Sequence, residues 1–189
     1  MAELVFNYSV MGGGKTTALI LDEYNSIRRN ERSIIIKPAI DTRDGIIKGW
    51  GRIKSRVIKG DHQALYVEKV IPEEYIFFDN IYVDEIQFFT PEDIVALSDI
   101  VDKYNKNVYC YGLKTDSAGE LFKASAKLLA IADRCVEMPL KCKCGKPATH
   151  HVRFINNELA EDQSGIVVEK DKVTYKSLCR ACWKEMLGK

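Results

Sequence analysis

Three groups of residues have types and spacings that could do chemistry. The first is the run Ser9-Val10-Met11-Gly12-Gly13-Gly14-Lys15-Thr16-Thr17. It follows the phosphate-loop pattern Gly-x-x-x-x-Gly-Lys-[Ser/Thr], with Ser9 where the first glycine stands. Glycines let backbone N–H groups converge on phosphate oxygens, and a helix N-terminus behind them adds positive potential. Lys15 can bridge the β- and γ-phosphates of ATP, and Thr16 can offer its hydroxyl to Mg²⁺. Ser9 is a departure, because the first position often uses glycine's free dihedrals. An ordinary glycine-rich turn would rarely carry the whole run Gly-Gly-Gly-Lys-Thr-Thr between a strand and a helix, so phosphate binding is the expectation.

The second group is Asp84-Glu85, which ends the apolar run Ile81-Tyr82-Val83. Alone, such a pair is usually solvated. Downstream of a phosphate loop it acquires roles, since ligands of open parallel sheets gather at the carboxyl ends of strands. One acid can serve the Mg²⁺ shell, and its neighbour can act as a base on an incoming hydroxyl. The third group is Cys142, Cys144, Cys179 and Cys182. Four thiolates in two close pairs suit tetrahedral Zn²⁺ in a structural role, because four protein ligands leave no open position. Free thiols, or disulfides in an oxidised sample, are the alternatives. The Cys-x-Cys spacing is tighter than the usual Cys-x-x-Cys. Cys110 and Cys135 stand alone in apolar runs and read as small core residues. His150 and His151 read as strand surface.

The elements that must hold these groups alternate. Residues 3–8 read as a strand, Thr16 to Arg29 as a helix with Leu19, Ile20 and Ile27 inward, and Ser33 to Lys37 as a strand built on Ile34, Ile35 and Ile36. That is a βαβ unit. Asp41 to Arg56, with three glycines and five basic residues, reads as a loop. Ile81 to Val83 reads as a strand, Pro91 to Tyr104 as a helix with Thr90 at its N-cap, and Asn107 to Tyr111 as a strand. Gly112 to Glu120 reads as a polar loop, Leu121 to Ala132 as a helix and Cys135 to Met138 as a last strand. Tyr75, Phe77, Phe78, Phe88 and Phe89 read chiefly as core. The expected fold is α/β, a phosphate-loop NTPase-like, mostly parallel sheet with flanking helices over 1–139. A small zinc-binding segment over 140–189 follows, with short strands such as His151 to Ile155 and a basic helix from Arg180.

Composition narrows the classes further. The chain of 189 residues has 28 Lys and Arg against 27 Asp and Glu, a net charge of +1, and 46% hydrophobic residues. That balance is ordinary for a globular domain and lacks the basic excess of a nucleic-acid binder. No stretch approaches a membrane span. With Glu3 early and no basic n-region, a secretory signal is not expected, and the reading is a cytoplasmic protein.

The ordered set Ser9 to Thr17, Asp41-Thr42-Arg43, Val83-Asp84-Glu85-Ile86-Gln87-Phe88-Phe89, Gly112-Leu113-Lys114-Thr115-Asp116 and Cys179-Arg180-Ala181-Cys182 resembles the type II thymidine kinases across nearly the whole chain. The resemblance implies that Glu85 is the general base for the nucleoside 5′-hydroxyl and Asp84 the Mg²⁺-associated acid. It implies that Gln87 and Phe88 lie near the nucleoside pocket, Gln87 counted with the cofactor side, and that Met11 lines the base pocket. Asp41 and Arg43 match a motif that approaches Mg²⁺ and phosphate. Tyr175 matches a tyrosine that closes over the nucleoside, and Ile166, Val167, Val168, Glu169 and Lys170 match a lasso whose backbone reads the thymine edge. It also implies thymidine and ATP as substrates, dTTP as feedback inhibitor and a homotetramer.

Three positions depart from the family. Ser117 stands where a base-packing Phe is usual, Lys170-Asp171 replaces Gly-Gly, and the first cysteine pair is short. A deoxynucleoside kinase of altered base choice therefore remains open. A zinc-ribbon ATPase acting on nucleic acid is disfavoured by the neutral charge. A nucleotide-binding regulator without turnover is disfavoured by Glu85.

Overall fold

The computed structural model describes residues 1–40, 64–165 and 172–189. Asp41 and Arg43, and Ile166, Val167, Val168, Glu169 and Lys170, lie outside the described residues. Six strands form one sheet in the order β3 (Ala64–Val67), β2 (Ser33–Pro38), β4 (Asn80–Val83), β5 (Asn107–Leu113), β1 (Leu4–Ser9) and β6 (Arg134–Glu137). Every pairing in it is parallel. Parallel strands need crossover connections, and helices supply most of them here. They are α1 (Lys15–Arg28), α2 (Pro91–Tyr104) and α3 (Lys123–Ile131).

Alternation along β4 shows how the two faces are filled. Ile81 and Val83 point to one face, where they join Phe6, Val108 and Cys110 under Ile94, Leu97 and Ile100 of α2 and Leu128 of α3. Tyr82 points to the other, where it meets Tyr111, Ile35 and Leu19 and Ile20 of α1. Residues i and i+2 of a strand share a face, so one apolar run serves two layers. The α1 layer is also pinned by polar groups. The Tyr82 hydroxyl lies 2.7 Å from Ser26 Oγ, and the Tyr111 hydroxyl donates to Asp22. These bonds set the helix whose first turn carries Lys15 and Thr16. Helix α2 starts on a capping box, with Thr90 Oγ1 accepting from Asp93 N–H at 3.1 Å and Asp93 Oδ2 accepting from Thr90 N–H at 3.0 Å. Pro91 follows at the first helical position.

Several expectations change. Strand β5 runs on through Gly112 and Leu113, so the polar loop expected from Gly112 begins only after them, and its Asp116 and Ser117 are buried. Ile27 of α1 is exposed, because the α1 seat is filled by Leu19 and Ile20 together with the polar groups of Ser26 and Asp22. Cys135 is exposed on β6, an edge strand of the sheet among the described residues, all four residues of which are exposed, whereas Cys110 at the sheet centre is fully buried. Phe77 is 67% exposed, in the turn after a 3-10 segment whose Tyr75 takes the core position. Strand β3, too short and mixed to stand out in the sequence, adds an edge next to β2.

The remainder builds a second sheet, in the order β8 (Glu158–Leu159), β7 (His150–Ile155) and β9 (Val173–Leu178), all antiparallel. A short helix α4 (Arg180–Met186) closes it. Its core gathers Val152, Leu178, Ala148, Cys142, Cys179 and Trp183 around Val10 of the phosphate loop. The smaller sheet therefore packs directly on the segment between β1 and α1.

Candidate functional site

The phosphate loop leaves β1 and enters α1 through two left-handed glycines, Gly12 (φ +74°) and Gly14 (φ +75°). At these positions a β-carbon would strain the backbone. Ser9 is not among the residues of positive φ. It ends a β-strand, where glycine's freedom is unnecessary, and its hydroxyl donates to the Met138 carbonyl at 2.8 Å. Serine thus fits the first position and ties the loop to the chain leaving β6. Gly13 is required for a different reason, since a β-carbon there would lie 1.9 Å from Ser9 Oγ.

Lys15 Nζ donates to the Val10 carbonyl at 2.9 Å. Burial lowers its pKa, and Glu85 and Asp84 nearby oppose that shift. Thr16 Oγ1 donates weakly to both Asp84 oxygens, at 3.3 and 3.4 Å. The Thr and the Asp come from different motifs 68 residues apart, and the parallel register of β1, β5 and β4 brings them to one edge. Asp84 is almost fully buried, and its amide donates to the Ile36 carbonyl at 3.0 Å. Burial and the charge of Glu85 push its carboxyl pKa up. Lys37 Nζ, also buried, stands 3.8 Å away and opposes that rise.

Glu85 has a left-handed backbone, φ +54°, ψ +41°. A non-glycine residue pays strain for that conformation, and such residues cluster at functional sites. The turn Ile86–Phe88 follows at once. Gln87 Nε2 donates to Glu85 Oε2 at 2.5 Å, and Gln87 Oε1 accepts from Leu113 N–H at 2.9 Å. Gln87 therefore bridges the carboxylate to the end of β5. Gly112 leaves the room this needs, since a β-carbon there would sit 2.5 Å from Gln87 Oε1. Met11, Gly12, Lys15, Thr16, Glu85 and Leu113 line a cavity of about 180 Å³.

Other residues singled out in the sequence fall around this centre. Phe88 is half-buried. Ser117 is buried and its carbonyl accepts from Trp183 Nε1 at 3.1 Å; it is not among the residues lining the cavity. Tyr175 lies on β9, its ring edge-on to His151 at 5.8 Å. His151 is buried rather than on the surface: it lies opposite Ser177, whose hydroxyl donates to the Met11 carbonyl, and its ring meets Tyr175, while His150 packs on Trp183. Two site neighbours were not singled out in the sequence. Lys37 interrupts a buried apolar strand, a signal available in Ile34-Ile35-Ile36-Lys37. Ser177, which donates to the Met11 carbonyl at 2.5 Å, has no local signal.

The ligand atoms of Cys142, Cys144, Cys179 and Cys182 all lie within 4.8 Å of one another. Tetrahedral thiolate sites, with metal–sulfur bonds of about 2.3 Å, place sulfurs roughly 3.8 Å apart. Cys144 and Cys179 are at 3.6 Å. The short Cys-x-Cys is accommodated by a turn in which the Gly145 amide donates to the Cys142 carbonyl, Gly145 having φ +86°. Backbone N–H groups of Cys144 and Cys179 favour thiolate at Cys142 and pull its pKa down. The donor set fits a thiophilic metal.

Comparison with known proteins follows the same outline. The family described as thymidine kinase matches residues 2–183. The thymidine kinase of Enterobacteria phage T4 is 37% identical over 195 residues, covering 100% of this chain and 99% of that protein. The thymidine kinase of Francisella tularensis strain SCHU S4 is 38% identical over 199 residues, covering 98% of each. That of Vibrio vulnificus strain CMCP6 is 37% identical over 193 residues, covering all of both. Among solved structures, AMPPCP-bound DnaA from Aquifex aeolicus superposes with a TM-score of 0.45 at 16% identity, over 76% of this chain and 42% of that one.

Proposed function

The chain belongs to the thymidine kinase family, and from that premise we propose that it transfers the γ-phosphoryl of ATP to the 5′-hydroxyl of thymidine, with Glu85 as general base. The observation that carries the assignment of the base is the Glu85 carboxylate at the cavity wall, held by Gln87 and shared with Lys15 and Thr16 of the phosphate loop. Glu85 takes the hydroxyl proton as the oxygen attacks phosphorus in line. Backbone N–H groups of the loop and Lys15 stabilise charge on the transferring group. Positioning and electrostatics of this kind supply most of the catalysis in phosphoryl transfer. Thr16 and Asp84 would hold Mg²⁺, which when bound neutralises phosphate charge. The four cysteines would hold Zn²⁺, which links residue 142 to residue 182 and so fixes both ends of the smaller sheet to each other.

On the resemblance, Met11, Phe88, Ser117 and Tyr175 surround the nucleoside, residues 166–170 read its base, and Asp41 and Arg43 act on the phosphate side. The same reading includes a homotetramer and inhibition by dTTP. Among the described residues no helix is long and apolar enough to cross a membrane. The test is ADP release from Mg-ATP against thymidine, deoxyuridine, deoxycytidine, deoxyadenosine and deoxyguanosine, with a no-nucleoside control. Strong dependence on thymidine is expected. Preference for another nucleoside would overturn the base choice, and ADP release indifferent to all five would overturn the kinase.

A further inference from the structure

Toward its end, β2 stops being apolar. Ile34, Ile35 and Ile36 are followed by Lys37, which is 4% exposed. A buried ammonium is costly unless a counter-charge meets it. Here that charge is Asp84, whose Oδ2 lies 3.8 Å from Lys37 Nζ. Sheet register makes the pair. Ile36 lies beside Val83 of β4, and the Asp84 amide donates to the Ile36 carbonyl at 3.0 Å, so Lys37 and Asp84 come next on neighbouring strands. Alternation turns both toward α1, on the face of Ile35 and Tyr82. Thr16, in the first turn of α1, reaches the same carboxylate. Asp84 Oδ1 also accepts from the Glu85 amide at 3.0 Å. That amide belongs to the left-handed residue whose carboxylate stands at the cavity wall. Lys15 lines the cavity too, whereas Lys37 is not among the lining residues.

We propose that Lys37 is a positioning residue for phosphoryl transfer: its ammonium fixes the Asp84 carboxylate, and Asp84 in turn fixes the turn that carries Glu85. The proposal rests on the reading of the chain as a nucleoside kinase. Two lysines stand near the acid pair, and they differ in what else they must do. Lys15 faces the cavity, so a bound phosphate competes for its charge. Lys37 sits on a strand outside the cavity, so the charge it offers Asp84 does not depend on the ligand. Adjacent carboxylates repel each other, and a fixed cation beside one of them offsets that repulsion. A left-handed backbone at a non-glycine residue persists only where its surroundings over-determine it. The Asp84 carboxylate supplies one such constraint, at the Glu85 amide. Lys37 therefore acts on the aim of the base, and its loss should be felt in kcat rather than in the affinity for either substrate.

The test uses both rate and stability. Lys37→Met keeps the stem and removes the charge. Its kcat for thymidine-dependent ADP release should fall about 10–100-fold, the order of one interaction with a charged group, while the KM values for ATP and thymidine each stay within about twofold. Lys37→Arg, which keeps the charge, should recover part of the loss. A second readout needs neither metal nor substrate. It is the melting temperature of the ligand-free protein in a double-mutant cycle with Asp84→Asn. Lys37→Met alone leaves the Asp84 carboxylate buried without its cation and should lower the melting temperature. Adding Asp84→Asn to Lys37→Met should raise it again, which a lysine that merely fills space would not do. Wild-type kcat in Lys37→Met, a rise in either KM as large as the fall in kcat, or melting losses that simply add in the double variant would overturn the proposal. ADP release by wild-type protein indifferent to nucleosides would overturn the kinase reading and the catalytic half of this proposal. Additive melting losses in a protein that does phosphorylate thymidine would overturn the role of Lys37 alone.

Discussion

The phosphate-loop edge of the large sheet and the face of the small sheet opposite it reach their geometry by different means. At the first, position follows from burial. Asp84 and Glu85 end a strand whose four residues are all buried, between two strands that are themselves packed on both faces. The side chains are then aimed by a few bonds, Gln87 to Glu85 and Thr16 to Asp84. At the second there is little core to do this work. Strand β9 alternates half-buried and exposed residues along most of its length, and β8 is exposed throughout. Seven buried side chains, Val10 among them, and four clustered sulfurs hold it together. Small modules that cannot bury enough apolar surface are commonly completed by a metal or by disulfides. A site can thus combine a rigid wall supplied by a core with a second wall supplied by chelation.

The largest effect should come at the rigid wall. Glu85→Gln is expected to lower thymidine-dependent ADP release by about 10²–10⁴-fold while nucleotide binding persists. Turnover equal to wild type would mean the base lies elsewhere. The chelated wall should fail differently. The protein should carry about one zinc per chain by elemental analysis, as expected of a four-thiolate site. Changing both Cys179 and Cys182 to Ser should abolish it, with loss of activity but retention of the helical signal of the large sheet's layers. Full activity in metal-free protein would remove the contrast altogether.

A smaller effect tests how finely the rigid wall is aimed. Gln87→Ala leaves Glu85 in place but without its 2.5 Å donor. We expect kcat to fall about tenfold, the order of one hydrogen bond to a charged group, with the KM for ATP unchanged. The smallest concerns stability alone. Thr90→Ala removes the capping box of α2 and should cost about 1 kcal/mol, read as a lower melting temperature at undiminished kcat. A loss of kcat there would show that the large sheet's core is less independent of the site than its packing implies.

Much of the large sheet was legible beforehand, because parallel strands and amphipathic helices carry periodic signals. The helix at Pro91–Tyr104 was read residue for residue, since its Thr-Pro start is a local signal. The edges were not legible. Among the described residues strand β3 pairs on one side, with β2, and three of its four residues are half-buried or exposed, so little in its sequence demanded burial. Cys135 and Phe77 were expected inside because apolar character is a property of residues, whereas exposure is a property of position in the sheet. His151 was expected outside for the converse reason, polarity in a short alternating strand.

Residue order alone determined the chemistry that could be present: a loop able to hold phosphate, an acid pair at a strand end, and four thiols in two pairs. Those are statements about adjacent residues, whose geometry is set by φ, ψ and the strand period. Only the tertiary structure decided which partners they keep. Lys37 beside Asp84, Gln87 between Glu85 and Leu113, and Ser177 under Met11 join residues far apart in the chain. Such pairings arise when sheet register and packing bring strand ends together, and no local pattern encodes them.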